Sequence, residues 1–273
     1  MEPRAVPAGQ GVAWLREGLD LFAAAPLTWL GITLLFSGML VVFSVVPFAG
    51  MFASVAIPMF IGGLMLGCDA QRRGQPLEVR YLFSGFEAPR LQPLAIVGAL
   101  YLAASVVVML PVIAVVVGTS LAGTFAAVSA GSGGSGSAGL GLAAVVAVAI
   151  GLLILVAATV LLSMAIWFAP ALVVFRGVAP VDAMKLSLRA ALRNLGPFAV
   201  YVLAVMGIGL LVMLPLLGAI LFAAARGSSG GDLSPMLAIA MGGTGLFALI
   251  CIVLLMPPMW GAMYASYRDV FGD

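Results

Sequence analysis

Residues 145–170 read VVAVAIGLLILVAATVLLSMAIWFAP, 26 positions without a charge. The uncharged run is longer still, from about 138 to 175. A helix needs about 20 apolar residues to cross the hydrocarbon core of a bilayer. At ~1.5 Å per residue this run exceeds one bilayer thickness, so it must tilt, project or break. Pro170 is the natural break, because proline lacks the N–H that would continue the helix.

Five other stretches are long and apolar enough to cross a membrane. With the first they run approximately 27–46, 50–68, 94–118, 145–170, 198–222 and 237–263. Composition agrees. Of the 273 residues 64% are hydrophobic and 8% charged, against about 25% charged in a soluble domain. Such a chain has too little polar surface to stay in water, and lipid is the medium it fits. The first 25 residues lack a signal-peptide layout, since Arg16, Glu17 and Asp20 interrupt their apolar residues.

Charge sets the expected orientation. Arg4 and Arg16 precede the first span. Arg72, Arg73, Arg80 and Arg90 lie between spans two and three, and Arg176, Lys185, Arg189 and Arg193 between four and five. Arg268 follows span six, and Arg226 alone of the 12 Lys and Arg residues lies on the other side. The positive-inside rule puts the rich side, with both termini, in the cytoplasm. No charge falls in the middle of a span, so the usual mark of an ion path or proton relay is missing. On the outer side, about 119–141 contains Gly131-Ser132-Gly133-Gly134-Ser135-Gly136-Ser137, a composition that reads as flexible loop. Arg226 to Pro235 is a shorter loop of the same kind.

The chain repeats itself. A proline opens each odd span, in Ala25-Pro26-Leu27, Gln92-Pro93-Leu94 and Gly196-Pro197-Phe198. In the second and third cases Met-Leu-Pro follows, ending at Pro111 and Pro215, each 18 residues on. The even spans carry Pro58, Pro170 and Pro257-Pro258, and exit through Arg72-Arg73, Arg176-Gly177 and Arg268-Asp269. Three units are expected, approximately 9–73, 76–176 and 179–269, within one membrane domain covering 1–273. Two spans per unit give every unit the same orientation, as in parallel transporter repeats.

An amphipathic segment precedes each odd span. Val12, Leu15, Leu19 and Phe22 oppose Arg16, Glu17 and Asp20. Val79, Leu82, Phe83 and Phe86 oppose Glu78, Arg80, Glu87 and Arg90, with Gly85 weakening that helix. Met184, Leu188, Leu192 and Leu195 oppose Lys185, Arg189 and Arg193. An apolar stripe with a charged face suits the membrane surface. Lys185, Arg189 and Arg193 recur every four residues, share one face and suit anionic lipid phosphates. Asp69 with Arg72, and Arg268 with Asp269, read as interfacial ion pairs that end helices. Gly63-x-x-x-Gly67 and Gly207-x-Gly209 read as close-packing positions inside the bundle.

Little else carries chemistry. There is no histidine, Cys68 and Cys251 are far apart in apolar runs, and Lys185 is the sole lysine. Metal clusters, phosphate-binding glycine loops and His-based nucleophiles are therefore not expected, nor is any cofactor or nucleic-acid surface at a net charge of +2. Pro180-Val181-Asp182-Ala183-Met184-Lys185 matches the mitochondrial-carrier signature, but it opens a helix after an even span, where carriers place it at the end of odd ones. Proline at the first helical position and Asp near the dipole's positive end explain it more simply.

The same region carries another resemblance. Ala169-Pro170-Ala171-Leu172-Val173, Pro180, Ala183-Met184-Lys185-Leu186-Ser187 and Arg193-Asn194, with the opening Gly18-x-x-Leu21-Phe22-x-x-x-Pro26, resemble uncharacterised six-span bacterial inner-membrane proteins. More distantly the chain is similar to the membrane domain fused to some bacterial glycerophosphodiester phosphodiesterases. Their chemistry belongs to a separate soluble barrel, so the resemblance implies a membrane module and no catalytic residue.

The sequence thus predicts an all-α, polytopic membrane protein of a bacterial inner membrane: six transmembrane helices in three two-span repeats, each behind an interfacial amphipathic helix. The expected role is non-enzymatic organisation of lipids, anionic phospholipid headgroups among them, or of partner proteins. Its rival is a transporter for an apolar or amphipathic solute, which a central cavity would favour and a solid bundle would oppose.

Overall fold

A computed structural model describes residues 2–46, 48–130, 137–227 and 234–272; within the helices, the side chains of 112, 115, 116, 119, 122–130, 137–144, 216, 219, 223–227 and 234–241 are not described. Among the described residues the elements are α1 (Gln10–Ala24), α2 (Pro26–Val45), α3 (Ala49–Arg72), a 3-10 segment (Val79–Phe86), α4 (Leu91–Ala130), α5 (Ser137–Trp167), α6 (Ala169–Arg176), α7 (Pro180–Arg193), α8 (Leu195–Gly227) and α9 (Ser234–Phe271). Six stretches are long and apolar enough to span: Pro26–Val45, Ala49–Arg72, Leu91–Pro111, Val145–Arg176, Leu195–Phe222 and Gly242–Phe271.

The prolines before the odd spans start helices, whereas Pro58, Pro111, Pro215, Pro257 and Pro258 lie inside them. Pro26, Pro93 and Pro197 each stand in a first turn, where the N–H has no intrahelical partner anyway. The long apolar run breaks as its length requires: α5 stops at Trp167 and α6 opens at Ala169, with Pro170 in its first turn. Gly177 ends α6 in the left-handed region (φ 59°), and Gly177 N–H and Val178 N–H donate back to the Val173 and Leu172 carbonyls at 3.1 and 3.4 Å. A Cβ at that φ would be strained.

Much of the stretch read as outer loop is helical. α4 continues through Ala130 and α5 begins at Ser137, which leaves only 131–136, outside the described residues. Residues 121–130 are rich in alanine, the best helix former, and hydrophobic enough to continue a helix already nucleated. The second outer loop shrinks likewise: α8 reaches Gly227, α9 opens at Ser234, and 228–233 are outside the described residues. At ~1.5 Å per residue the 40-residue α4 is about twice as long as the ~30 Å hydrocarbon core.

The core lies at the end where the arginines gather. α3 runs through its middle, with Leu64, Met65 and Cys68 at most 1% exposed, clustered with Trp29 and Ile32 of α2, Leu94 and Val97 of α4, and Leu172 of α6. α1 lies across α8 and α9. Further from the charges the long helices turn apolar residues outward. Leu153 of α5 and Leu203, Leu210 and Leu211 of α8 are each at least 66% exposed. In water such surface costs about 25 cal/mol per Å²; against lipid it costs nothing.

The packing faces of the short segments differ from those that hydropathy picks out. α1 buries Gly11, Trp14, Gly18 and Leu21, while Val12 and Leu19 are exposed. α7 buries Ala183, Ser187, Ala190 and Ala191, while Leu192 and Leu195 (the first residue of α8) are exposed. Small residues win these faces because they let backbones approach. The middle segment is a 3-10 helix. A Cβ on its Gly85 would strike the Met59 carbonyl, and one on Gly63 the Tyr81 carbonyl. Gly63 and Gly67 are thus close-packing positions, whereas Gly207 and Gly209 face open space.

Candidate functional site

The charged end is held together by polar bonds between distant segments. Glu17 of α1 accepts from Arg72 at 2.9 Å and also from Arg268, through the same carboxylate oxygen. Asp69 pairs with Arg73 at 2.9 Å and accepts the Tyr264 hydroxyl at 2.9 Å. Asp269 accepts the Trp14 indole N–H at 2.8 Å. Arg176 donates to the Tyr267 hydroxyl at 3.2 Å and to the Phe271 carbonyl at 2.9 Å.

These partners correct the pairings expected from sequence. Asp69 takes Arg73 rather than Arg72, since residues four apart share a helix face. Arg268 and Asp269 are adjacent, point about 100° apart on a helix, and so serve different partners. Gln71 contributes a further tie that its sequence context did not single out. Its amide donates to the Leu21 carbonyl at 2.7 Å and accepts the Trp29 indole N–H at 3.2 Å.

Beside this network lies a cleft of about 350 Å³ lined by Arg73, Arg80 and Arg90 with Asp69 and Glu87. Arg80 pairs with Glu78 at 3.0 Å and Arg90 sits 3.8 Å from Glu87, so most of its positive charge is locally balanced.

The basic stripe is different. Lys185, Arg189 and Arg193 are all exposed on α7, opposite its buried face of Ala183, Ser187 and Ala190. None of the three has an ion-pair partner among the described residues. Asp182, in the first turn of α7, is its one acidic residue and sits where the helix dipole favours it.

The chain is 28% identical, over 284 aligned positions, to a protein of Burkholderia thailandensis described as a probable inner membrane protein, covering 98% of this chain and 93% of that one. This chain is a multi-pass membrane protein. No known protein family matches it, and no solved structure does.

The membrane protein's predicted site residues therefore divide into two groups. Arg72 and Arg268 converge on Glu17 of α1 and Asp269 on Trp14, while Asp69 is tied to Arg73 and Tyr264, all as internal ties. Lys185, Arg189 and Arg193 stay outside that network, without ion-pair partners among the described residues. Asn194, next to them, has a role that composition alone did not reveal. Only 1% exposed, it accepts the Val6 N–H at 2.8 Å and donates to the Arg4 and Ala190 carbonyls, each at 2.9 Å. The signal was present in part: an uncharged amide directly after α7.

Proposed function

We propose that this protein is a non-enzymatic module of a bacterial inner membrane that gathers anionic phospholipid at its charged end, with that end in the cytoplasm. The observation that carries the reading is the α7 stripe: three cations on one exposed face, unpaired among the described residues, on a helix whose opposite face is packed. Each such cation near an anionic leaflet contributes about 1 kcal/mol of attraction. Exposed Val12 and Leu19 of α1, and Leu192 and Leu195 beside the stripe, suit the interface between headgroup and acyl chain. The similarity to a probable inner membrane protein supports the location, and eleven of 12 basic residues on one side support the orientation.

The threefold repeat belongs to the same reading. Pro26, Pro93 and Pro197 opening α2, α4 and α8 in their first turns support it. Transport of an apolar solute is less well supported, because the middle of the charged end is filled by Leu64, Met65 and Cys68.

Native mass spectrometry of the full chain with phosphatidylglycerol and phosphatidylcholine tests it. Replacing Lys185, Arg189 and Arg193 together by Gln is expected to abolish preferential retention of phosphatidylglycerol. Unchanged preference would reduce the stripe to a topology signal.

A further inference from the structure

We propose that the groove between α5 and α8 seats one acyl chain of a phospholipid whose phosphate meets Arg189 and Arg193 at the groove's mouth. This deepens the lipid-binding reading above and rests on it. The groove holds about 650 Å³ and is lined from Leu155 to Trp167 on α5 and from Leu195 to Val202 on α8. Its α5 wall uses positions 155, 156, 159, 160, 163, 164 and 167, one continuous helical stripe. Twelve residue steps at ~1.5 Å make its α5 wall about 18 Å long and seven steps make its α8 wall about 10 Å, against the ~15 Å depth of one leaflet, half of a ~30 Å core.

Charge complementarity identifies the occupant. At the charged end Trp167 meets Phe198 and Tyr201 edge to face, with ring centroids 5.5 and 5.6 Å apart. α7 crosses that end from one wall to the other. Its Ser187 hydroxyl is bonded to Phe168 N–H at 2.9 Å and to the Met164 carbonyl at 2.7 Å, at the end of α5. Six residues on, Arg193 is followed by Asn194 and then by Leu195, the first residue of α8 and of the other wall. The element that carries the cations is thus the one that spans the mouth; Arg189 and Arg193 stand on its exposed face, away from Ser187, and reach a phosphate there by their long side chains. An apolar slot that ends beneath a helix carrying exposed cations is complementary to an anionic phospholipid.

The test uses the full chain in mild detergent with palmitoyl-oleoyl phosphatidylglycerol or phosphatidylcholine, read by native mass spectrometry under rising collision energy. The wild type is expected to keep one phosphatidylglycerol after all others are stripped. Ala199→Trp and Val156→Trp fill the groove from opposite walls, and occupancy should fall about tenfold or more in each. The Arg189→Gln, Arg193→Gln double variant should still hold a lipid but lose its preference for phosphatidylglycerol. Retention undiminished in whichever Trp variants fold overturns the groove assignment, and with the preference intact the headgroup reading survives it. Lipid loss from the Trp variants with no change of preference in the arginine variant leaves the groove but overturns the phosphate contact. A species at twice the chain mass that disappears on Ala199→Trp would make the groove a contact between copies and overturn the lipid.

Discussion

Gly18 of α1 and Gly261 of α9 pack backbone to backbone. A Cβ built on Gly261 would lie 2.6 Å from the Gly18 Cα, and one built on Gly18 would strike the Pro258 carbonyl. Backbone cannot yield as a side-chain tip can. Gly18→Val or Gly261→Val is expected to cost at least the ~1–3 kcal/mol typical of overpacking and to lower the detergent melting temperature. Gly207→Ala is the control. Its Cβ enters open space, and the gain in helix propensity makes it neutral or slightly stabilising.

Glu17 is the hub between α1, α3 and α9. Removing its charge strands two guanidinium groups at once, and the Arg268 side chain is only 15% exposed. Glu17→Gln is expected to destabilise by about 1–2 kcal/mol, below the 3–5 kcal/mol of a fully buried pair because Glu17 is itself 32% exposed. Arg72→Gln should cost less than Arg268→Gln, since Arg72 is 45% exposed. Melting in low and high salt checks the order, and the Arg72 effect should shrink more with salt.

Asn194 fastens residues 4–6 to the α7–α8 junction. Asn194→Ala removes three hydrogen bonds together. Its expected effect is local: faster hydrogen exchange at Val6, with Leu64 and Met65 of α3 still protected. Equal acceleration in α3 would show that the N-terminal segment is part of the global core.

Spans were legible because the membrane imposes a length and forbids charges, and runs such as 145–170 satisfy both without ambiguity. The break before Pro170 was legible for the same reason, as a local backbone rule. The packing faces of α1 and α7 were not, because Gly18, Ala183 and Ser187 contribute nothing to an apolar stripe while deciding how close the helices come. Nor were the ion pairs. Glu17 and Arg72 are 55 residues apart in the chain, and only the fold makes them neighbours, whereas Asp269 and Arg268 are adjacent in sequence and turned apart by the helix. The helical continuation to Ala130 was hidden by the Gly/Ser run beyond it. The α7 stripe was legible as a period of four; its lack of acidic partners among the described residues was not.

Ser187 stands in a place that an ordinary helix gives to its own backbone. Phe168 N–H would bond the Met164 carbonyl four residues earlier. Here the Ser187 hydroxyl sits between them, accepting from Phe168 at 2.9 Å and donating to Met164 at 2.7 Å. A side chain inserted into the hydrogen-bond ladder is an established cause of a kink, and Pro170, without an N–H, keeps the ladder from re-forming just beyond. Ser187→Ala leaves a buried donor and acceptor facing an empty methyl-sized space, and is expected to cost about 1–3 kcal/mol. Ser187→Cys keeps a weak donor and acceptor and should recover part of that loss. The two variants, compared by melting and by hydrogen exchange at Phe168, separate the inserted hydroxyl from the proline as the cause of the break. Slow exchange at Phe168 in Ser187→Ala would mean that α5 has closed its own ladder and that proline alone does not hold the kink. Fast exchange would mean that the break stays open and that Ser187 only caps it.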